Sequence, residues 1–296
     1  MRGRDYLSHT SHVETSSLNS EARRVLDKLL AELESQLSAD VLTLMGPIRD
    51  GVEHKVRDAL EPLQARRPRL AVVLHTGGGI VEVAERMVHV IRHFYGEVVF
   101  IVPDVAMSAG TVFAMSGDAI MMDYFSSLGP IDPQVVRDGK LVPALSYLVQ
   151  YERLIDKATL GTLTNAEFAI LKGFDQAELH QFEMARDLSV SLLVGWLAKY
   201  KFKDWHETEK SKAPVSPQDR EARAKEIADA LMDNRRWGSH GRAIPMRVLQ
   251  DELKLRIDDF GANLALSRVV RQYFSLAVDF MTRNDILHLA HSRGYF

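Results

Sequence analysis

Residues 70–74, 98–102 and 119–122 are short apolar runs, residues 39–45 read as a further strand, and stretches of helical period (51–63, 79–95 and 108–116) separate each from the next. That alternation constrains the fold more tightly than any other feature. Strands that read as unbroken apolar runs are buried on both faces, which requires helices against a mainly parallel sheet. Sheets of this kind carry their chemistry on the loops at strand ends.

The rest of the chain reads as mostly helical. Residues 19–37 place Ala22, Val25, Leu26, Leu29, Leu30, Leu33 and Leu37 at helical spacing. After Pro133 the segments 141–155, 164–172 and 177–200 have helical patterns with no convincing strand between them. A polar stretch over 204–218, with Pro214 and Pro217, reads as a linker, followed by helices over 217–232, 245–253 and 262–281. The division expected is an N-terminal helical arm over 1–38, an α/β domain over 39–203 and a mostly helical C-terminal region over 204–296.

Composition narrows the chemistry. With 37 Lys and Arg against 40 Asp and Glu, the net charge of −3 gives no field favouring nucleic acid, so no nucleic-acid partner is expected. The chain has no cysteine, which removes disulfides, thiolate nucleophiles and cysteine-ligated metals and leaves hydroxyls, His, Lys and carboxylates. The apolar runs are far shorter than the roughly 20 residues of a membrane helix, and no signal peptide is read at the N-terminus. A soluble, cytoplasmic protein is the expectation. No cofactor or metal is expected: His288 and His291 lack a third ligand, and the glycines lack both the P-loop lysine and the dinucleotide spacing.

Three loops follow the apolar runs. The first carries Gly77, Gly78 and Gly79; the second carries Met107-Ser108-Ala109-Gly110-Thr111; the third carries Ser127-Leu128-Gly129-Pro130-Ile131. Glycine lets backbone N–H groups come close to a reacting carbonyl, and Ser108 falls at a strand-to-helix transition with small neighbours. The order suggests a serine nucleophile beside an oxyanion hole. A plain turn at the glycines and a helix N-cap at Ser108 are the competing readings.

These motifs, together with Leu74-His75-Thr76, Asp132-Pro133-Gln134, Lys201-Phe202-Lys203-Asp204-Trp205 and Trp237-Gly238-Ser239-His240-Gly241-Arg242, resemble the serine dehydrogenase proteinase family of the Clp-protease/crotonase superfamily, relatives of signal peptide peptidase A. The resemblance implies an α/β fold, a Clp-protease/crotonase-like spiral of ββα units with a mostly helical C-terminal extension, assembled as a homo-oligomer. It also implies serine peptidase activity on a peptide or unfolded-protein substrate. By position, Ser108 matches the nucleophile, and Gly78 and Ala109 match the oxyanion-hole amides.

The general base is less determined. Residues 119–133 contain no histidine, so the Clp-type base is missing there, and the relatedness to signal peptide peptidase A implies a Ser-Lys dyad with Lys157 as base. Lysine on an exposed helix end is the plainer reading of Lys157. Lys140, next to a turn-like Asp138-Gly139, and His240 are the alternatives. Ser127 is expected to orient the amine, Gly77 and Gly79 to support the site, and His75 to brace a strand end. Asp132 and Asp104 read as turn-stabilising carboxylates. The aromatic-basic run 200–205 leaves peripheral membrane contact open, against the reading that its rings pack inward. The alternative functions are a catalytically silent oligomeric scaffold that binds partner proteins, and an acyl-thioester enzyme using the same amides.

Overall fold

The structure is a computed structural model that describes residues 5–137, 140–208 and 211–296, with the side chains of 5–17, 135–137, 140–143 and 234 outside the described set. After the long helix α1 (Asp5–Leu37), strand and helix alternate through β1 (Asp40–Met45), α2 (Val52–Leu60), β2 (Arg69–His75), α3 (Val81–Phe94), β3 (Glu97–Ile101), β4 (Val105–Ala106), α4 (Ala109–Ala114) and β5 (Ala119–Met122). Strands β1, β2, β3 and β5 are mutually parallel, as the apolar runs require. Successive residues of β2 show why. Leu70, Val72 and Leu74 belong to a core shared with α2, α3, α4 and further helices, whereas Ala71 and Val73 face the layer built by α1.

The second half is mostly helical, as read from the sequence, with short strands set among the helices. Two-residue strand β6 (Ser127–Leu128) precedes a hairpin of β7 (Gln134–Arg137) and β8 (Lys140–Pro143), so residues 141–143 are strand where a helix was expected. Helices α5 (Ala144–Thr159), α6 (Asn165–Leu171) and α7 (Gln176–Trp196) follow. The chain then passes through α8 (Pro217–Met232), α9 (Asn234–Trp237), β9 (Ile244–Pro245), α10 (Met246–Asp251), β10 (Asp258–Asp259), α11 (Leu264–Arg283) and β11 (Leu289–His291). The central sheet runs β10-β5-β3-β2-β1-β11, so both of its edges come from residues after 204. Helix α11 also packs against α1 on the second face. Residues on either side of position 204 therefore share one sheet and one core.

A small second sheet, β4-β6-β9, holds the loops of interest. β4 and β6 are parallel, and β9 is antiparallel to β6. The segments leaving β4 and β6 and the segment entering β9 consequently lie at the same end of that sheet. They are the segments of Ser108, of Asp132 and of His240.

Candidate active site

Ser108 sits in the two-residue gap between β4 and α4 with φ 52° and ψ −120°. A residue with a Cβ rarely adopts a positive φ, and a strained strand-to-helix turn is how a nucleophile is lifted out of the chain. The N-cap reading fails on geometry: an N-cap serine is extended and accepts from an amide in the first helical turn, whereas the Ser108 side chain caps nothing. Its residue is partly exposed and its hydroxyl has no hydrogen-bond partner among the described residues. The turn is closed by the backbone instead, with Gly110 N–H donating to Met107 O at 2.8 Å and Thr111 N–H to Ser108 O at 2.9 Å.

The glycine loop is tied directly to this turn. Thr76 N–H donates to Val105 O and Met107 N–H to Thr76 O, both at 3.0 Å, extending the end of β2 alongside β4. Gly78 has φ +102°, and a Cβ there would stand 2.8 Å from both Met107 O and Ser108 Cβ and 3.4 Å from Ala109 N. Only glycine permits that approach. The Gly78 amide is engaged, however, donating to the buried Thr76 hydroxyl at 3.0 Å. Ala109 N–H is at the first position of α4, where no helical carbonyl accepts it. Gly77 and Gly79 are exposed, and Gly79 lies against Ile48, whose N–H donates to Gly78 O at 2.8 Å.

Thr111 joins the third loop to the second. Its buried hydroxyl lies 2.7 Å from Ala106 O and 2.9 Å from Gly129 O, and it accepts from Gly129 N–H at 2.9 Å. Neither Thr76 nor Thr111 stands out in the sequence, because a hydroxyl serving backbone groups of distant loops leaves no local pattern. Ser127 is buried in β6, its amide donating to Asp104 O at 2.8 Å. Asp104 Oδ2 is 3.4 Å from His75 Nδ1, yet that buried nitrogen forms no hydrogen bond; burial pushes the His75 pKa down against the pull of Asp104. The His75 ring meets Phe274 edge to face.

The candidate bases are placed differently from one another. Lys157, in the last turn of α5, forms an ion pair with Glu167 of α6, and that hydrogen bond together with the Thr164 amide pulls Glu167 down to about 2. Glu167 also completes the capping box of Thr164, so Lys157 is part of the α5–α6 connection. Nothing among the described residues joins Lys157 to Ser108 or Ser127. The side chain of Lys140 and residues Asp138 and Gly139 lie outside the described residues. His240, by contrast, holds Nδ1 2.8 Å from Oδ1 of Asp132, whose side chain is fully buried and whose Oδ2 accepts from Gln134 Nε2 at 2.9 Å. Ile131 N–H donates to Leu231 O at 3.1 Å and anchors that loop to the end of α8. Asp132 is therefore more than the turn-stabilising carboxylate expected of it; its partner lies 108 positions away.

His288 and His291 do not converge. His291 is buried with Nδ1 2.8 Å from Tyr273 Oη and Nε2 2.9 Å from Asp27 Oδ1. No group of three or more His, Cys, Asp or Glu that could hold a metal occurs among the described residues. Among them, too, no helix is long and apolar enough to cross a membrane.

The family model of the ClpP-like SDH-type serine proteinases matches residues 54–188, which include all three loops. Two uncharacterized proteins of Methanocaldococcus jannaschii are 30% identical to the chain. One matches over 176 residues, 54% of this chain and 59% of its own length. The other matches over 154 residues, 50% of each. The chain thus spans between half and three-fifths of the length of these relatives. Among solved structures, an alanine mutant of the 1510-N membrane-bound stomatin-specific protease aligns with a TM-score of 0.44 at 12% identity, covering 76% of this chain and 82% of that one. A second mutant of that protease, bound to a substrate peptide, aligns with a TM-score of 0.32 at 22% identity, covering 37% and 55%. Over residues 54–188 this chain is thus similar to the ClpP-like SDH-type serine proteinases.

Proposed function

We propose that the protein is a serine peptidase in which Ser108 is the nucleophile, His240 the general base and Asp132 the residue that orients it. The single observation that carries the reading is the backbone of Ser108, held at φ 52° with a hydroxyl that caps nothing. In this reading His240 donates Nδ1–H to Asp132 and so presents an unprotonated Nε2, the tautomer that accepts a serine proton. Ser108 Oγ bonds to the substrate carbonyl carbon as its proton passes to Nε2, and the carbonyl oxygen takes the negative charge. Ala109 N–H stabilises that charge, and the Gly78 amide adds to it on release from Thr76. His240 then returns the proton to the leaving amine as the C–N bond breaks, and water hydrolyses the acyl-serine by the same route.

Lys157 is the weaker base. A neutral amine requires desolvation and no anion beside it, whereas the Glu167 carboxylate favours the ammonium. A Ser-Lys mechanism would require Lys157 to leave Glu167 and reach Ser108.

The substrate class in this reading is a peptide or unfolded protein, acted on by a homo-oligomer. Support for self-association comes from α6, which buries none of its residues and leaves Phe168 and Ile170 about half exposed. Exposed apolar residues mark an interface where they join into a contiguous patch. Digestion of a peptide library by wild type and Ser108→Ala tests the activity: products from wild type alone support it. A folded Ser108→Ala protein that cleaves equally well refutes it, and no cleavage by either is the behaviour of a silent scaffold.

A further inference from the structure

At the N-terminal end of β5, away from the strand ends that carry Ser108, the end of α7 and the segment before β10 enclose a cavity of about 450 Å³. That is within the roughly 300–1,000 Å³ of small-molecule sites. α7 reaches it through a π-helical turn, Leu197–Lys201, a winding that recurs at functional positions. The turn places Tyr200 beneath the Arg92 guanidinium, 3.7 Å from its ring centre, and brings Lys201 to the cavity wall.

Lys201 is half-buried and makes no hydrogen bond or ion pair among the described residues. The carboxylates nearby are committed elsewhere. Asp118 is held by Arg92 at 2.8 Å, by Lys203 at 2.5 Å and by the Val98 amide, and Asp258 lies 3.6 Å from Arg256. Asp204 is exposed at the wall, and Arg223 is turned to Glu226 and the Leu253 carbonyl. Lys254, also on the wall, has no carboxylate partner among the described residues. Burial lowers Lys201 to about 8, with Arg256 pushing the same way and Asp258 and Asp118 opposing it. At neutral pH the ammonium persists, partly desolvated and without a hydrogen-bonded counter-charge among the described residues. Phe202 and Trp205, edge to face at 5.8 Å between ring centres, give the cavity an apolar side.

We infer that this cavity binds a small organic anion, a carboxylate or phosphoryl group carried on an apolar body. Its charged end sits at Lys201 between Lys254 and Arg256, and its apolar part lies against Phe202 and Trp205. The ligand supplies the counter-charge that the protein withholds from Lys201, and the site is independent of Ser108.

Calorimetric titration of the full chain with benzoate, phenyl phosphate and inorganic phosphate tests it. The expected result is millimolar or tighter binding of benzoate or phenyl phosphate, with inorganic phosphate about tenfold weaker. Lys201→Met should weaken the organic anion about tenfold, and the double variant Lys254→Ala/Arg256→Ala, both exposed residues, by a smaller factor. The double variant decides the matter if Lys201→Met does not fold. Benzoate binding and phenyl phosphate binding separate the carboxylate from the phosphoryl ligand. Absence of binding by all three anions, equal affinity for inorganic and phenyl phosphate, or binding unchanged in the variants overturns the inference.

Discussion

His240 Nδ1 stands 2.8 Å from the buried Oδ1 of Asp132, and the two residues come from loops at the end of the small sheet β4-β6-β9 from which the turn of Ser108 also leaves. If Asp132 sets the tautomer of His240, an amide in its place lets the ring present the wrong nitrogen. Asp132→Asn is expected to lower kcat by about 10³-fold or more with little change in KM. Steady-state cleavage kinetics on the folded variant check this, and an unchanged kcat removes Asp132 from the mechanism.

Lys157 and Glu167 form a partly exposed ion pair joining α5 to α6. Lys157→Ala is expected to retain most peptidase activity and to leave the urea midpoint little changed. Parallel activity and urea-denaturation measurements decide between the bases: loss of activity in a stable Lys157→Ala protein, with activity kept in His240→Ala, assigns the base to Lys157.

Gly78→Ala brings a Cβ within 2.8 Å of Ser108 Cβ and Met107 O while demanding a positive φ from alanine. The expected outcome is a destabilisation of about 1–3 kcal/mol together with loss of activity, because the clash acts on the turn of Ser108 itself. Denaturation midpoint and turnover are the readouts. An active Gly78→Ala enzyme of wild-type stability would mean the loop does not pack as described.

Acid should weaken the fold through His291. Its pKa is lowered by burial, against the opposing hydrogen bond and charge of Asp27, so the folded protein binds this proton less readily than the unfolded chain. The contribution is complete above the ordinary histidine value of about 6.5 and is lost as pH falls through the lower folded value. His75, lowered by burial, acts in the same direction. Urea midpoints should therefore fall between about pH 7.5 and pH 5, and His291→Gln should show a smaller fall from a lower starting stability. An identical pH dependence in the variant would contradict this role.

The parts of this molecule that were readable in the sequence are those written in contiguous residues. β2 and β3 are apolar for nearly their whole length because both faces are covered, and that pattern marks a parallel sheet without help from the rest of the chain. β4, β6 and β9 have two residues each, too few for any periodicity, and β10 and β11 attach to sheet edges from far along the chain. The same limit applies to the site. Gly78 and Ser108 announce themselves by local residue type, whereas the pairing of Asp132 with His240 is set by β6 and β9 adding to β4, a contact that no spacing encodes. Lys157 is singled out by the resemblance to signal peptide peptidase A and its Ser-Lys dyad, and its partner Glu167 stands in the capping box that opens the next helix.

The most direct test of the central claim is covalent: incubation of the folded protein with a fluorophosphonate, followed by intact mass and peptide mapping. A single adduct on Ser108, absent from Ser108→Ala and much slower to form in His240→Ala, is the predicted result. A well-folded protein that takes up no label, or one whose labelling survives Ser108→Ala, would contradict the assignment of Ser108 as the nucleophile.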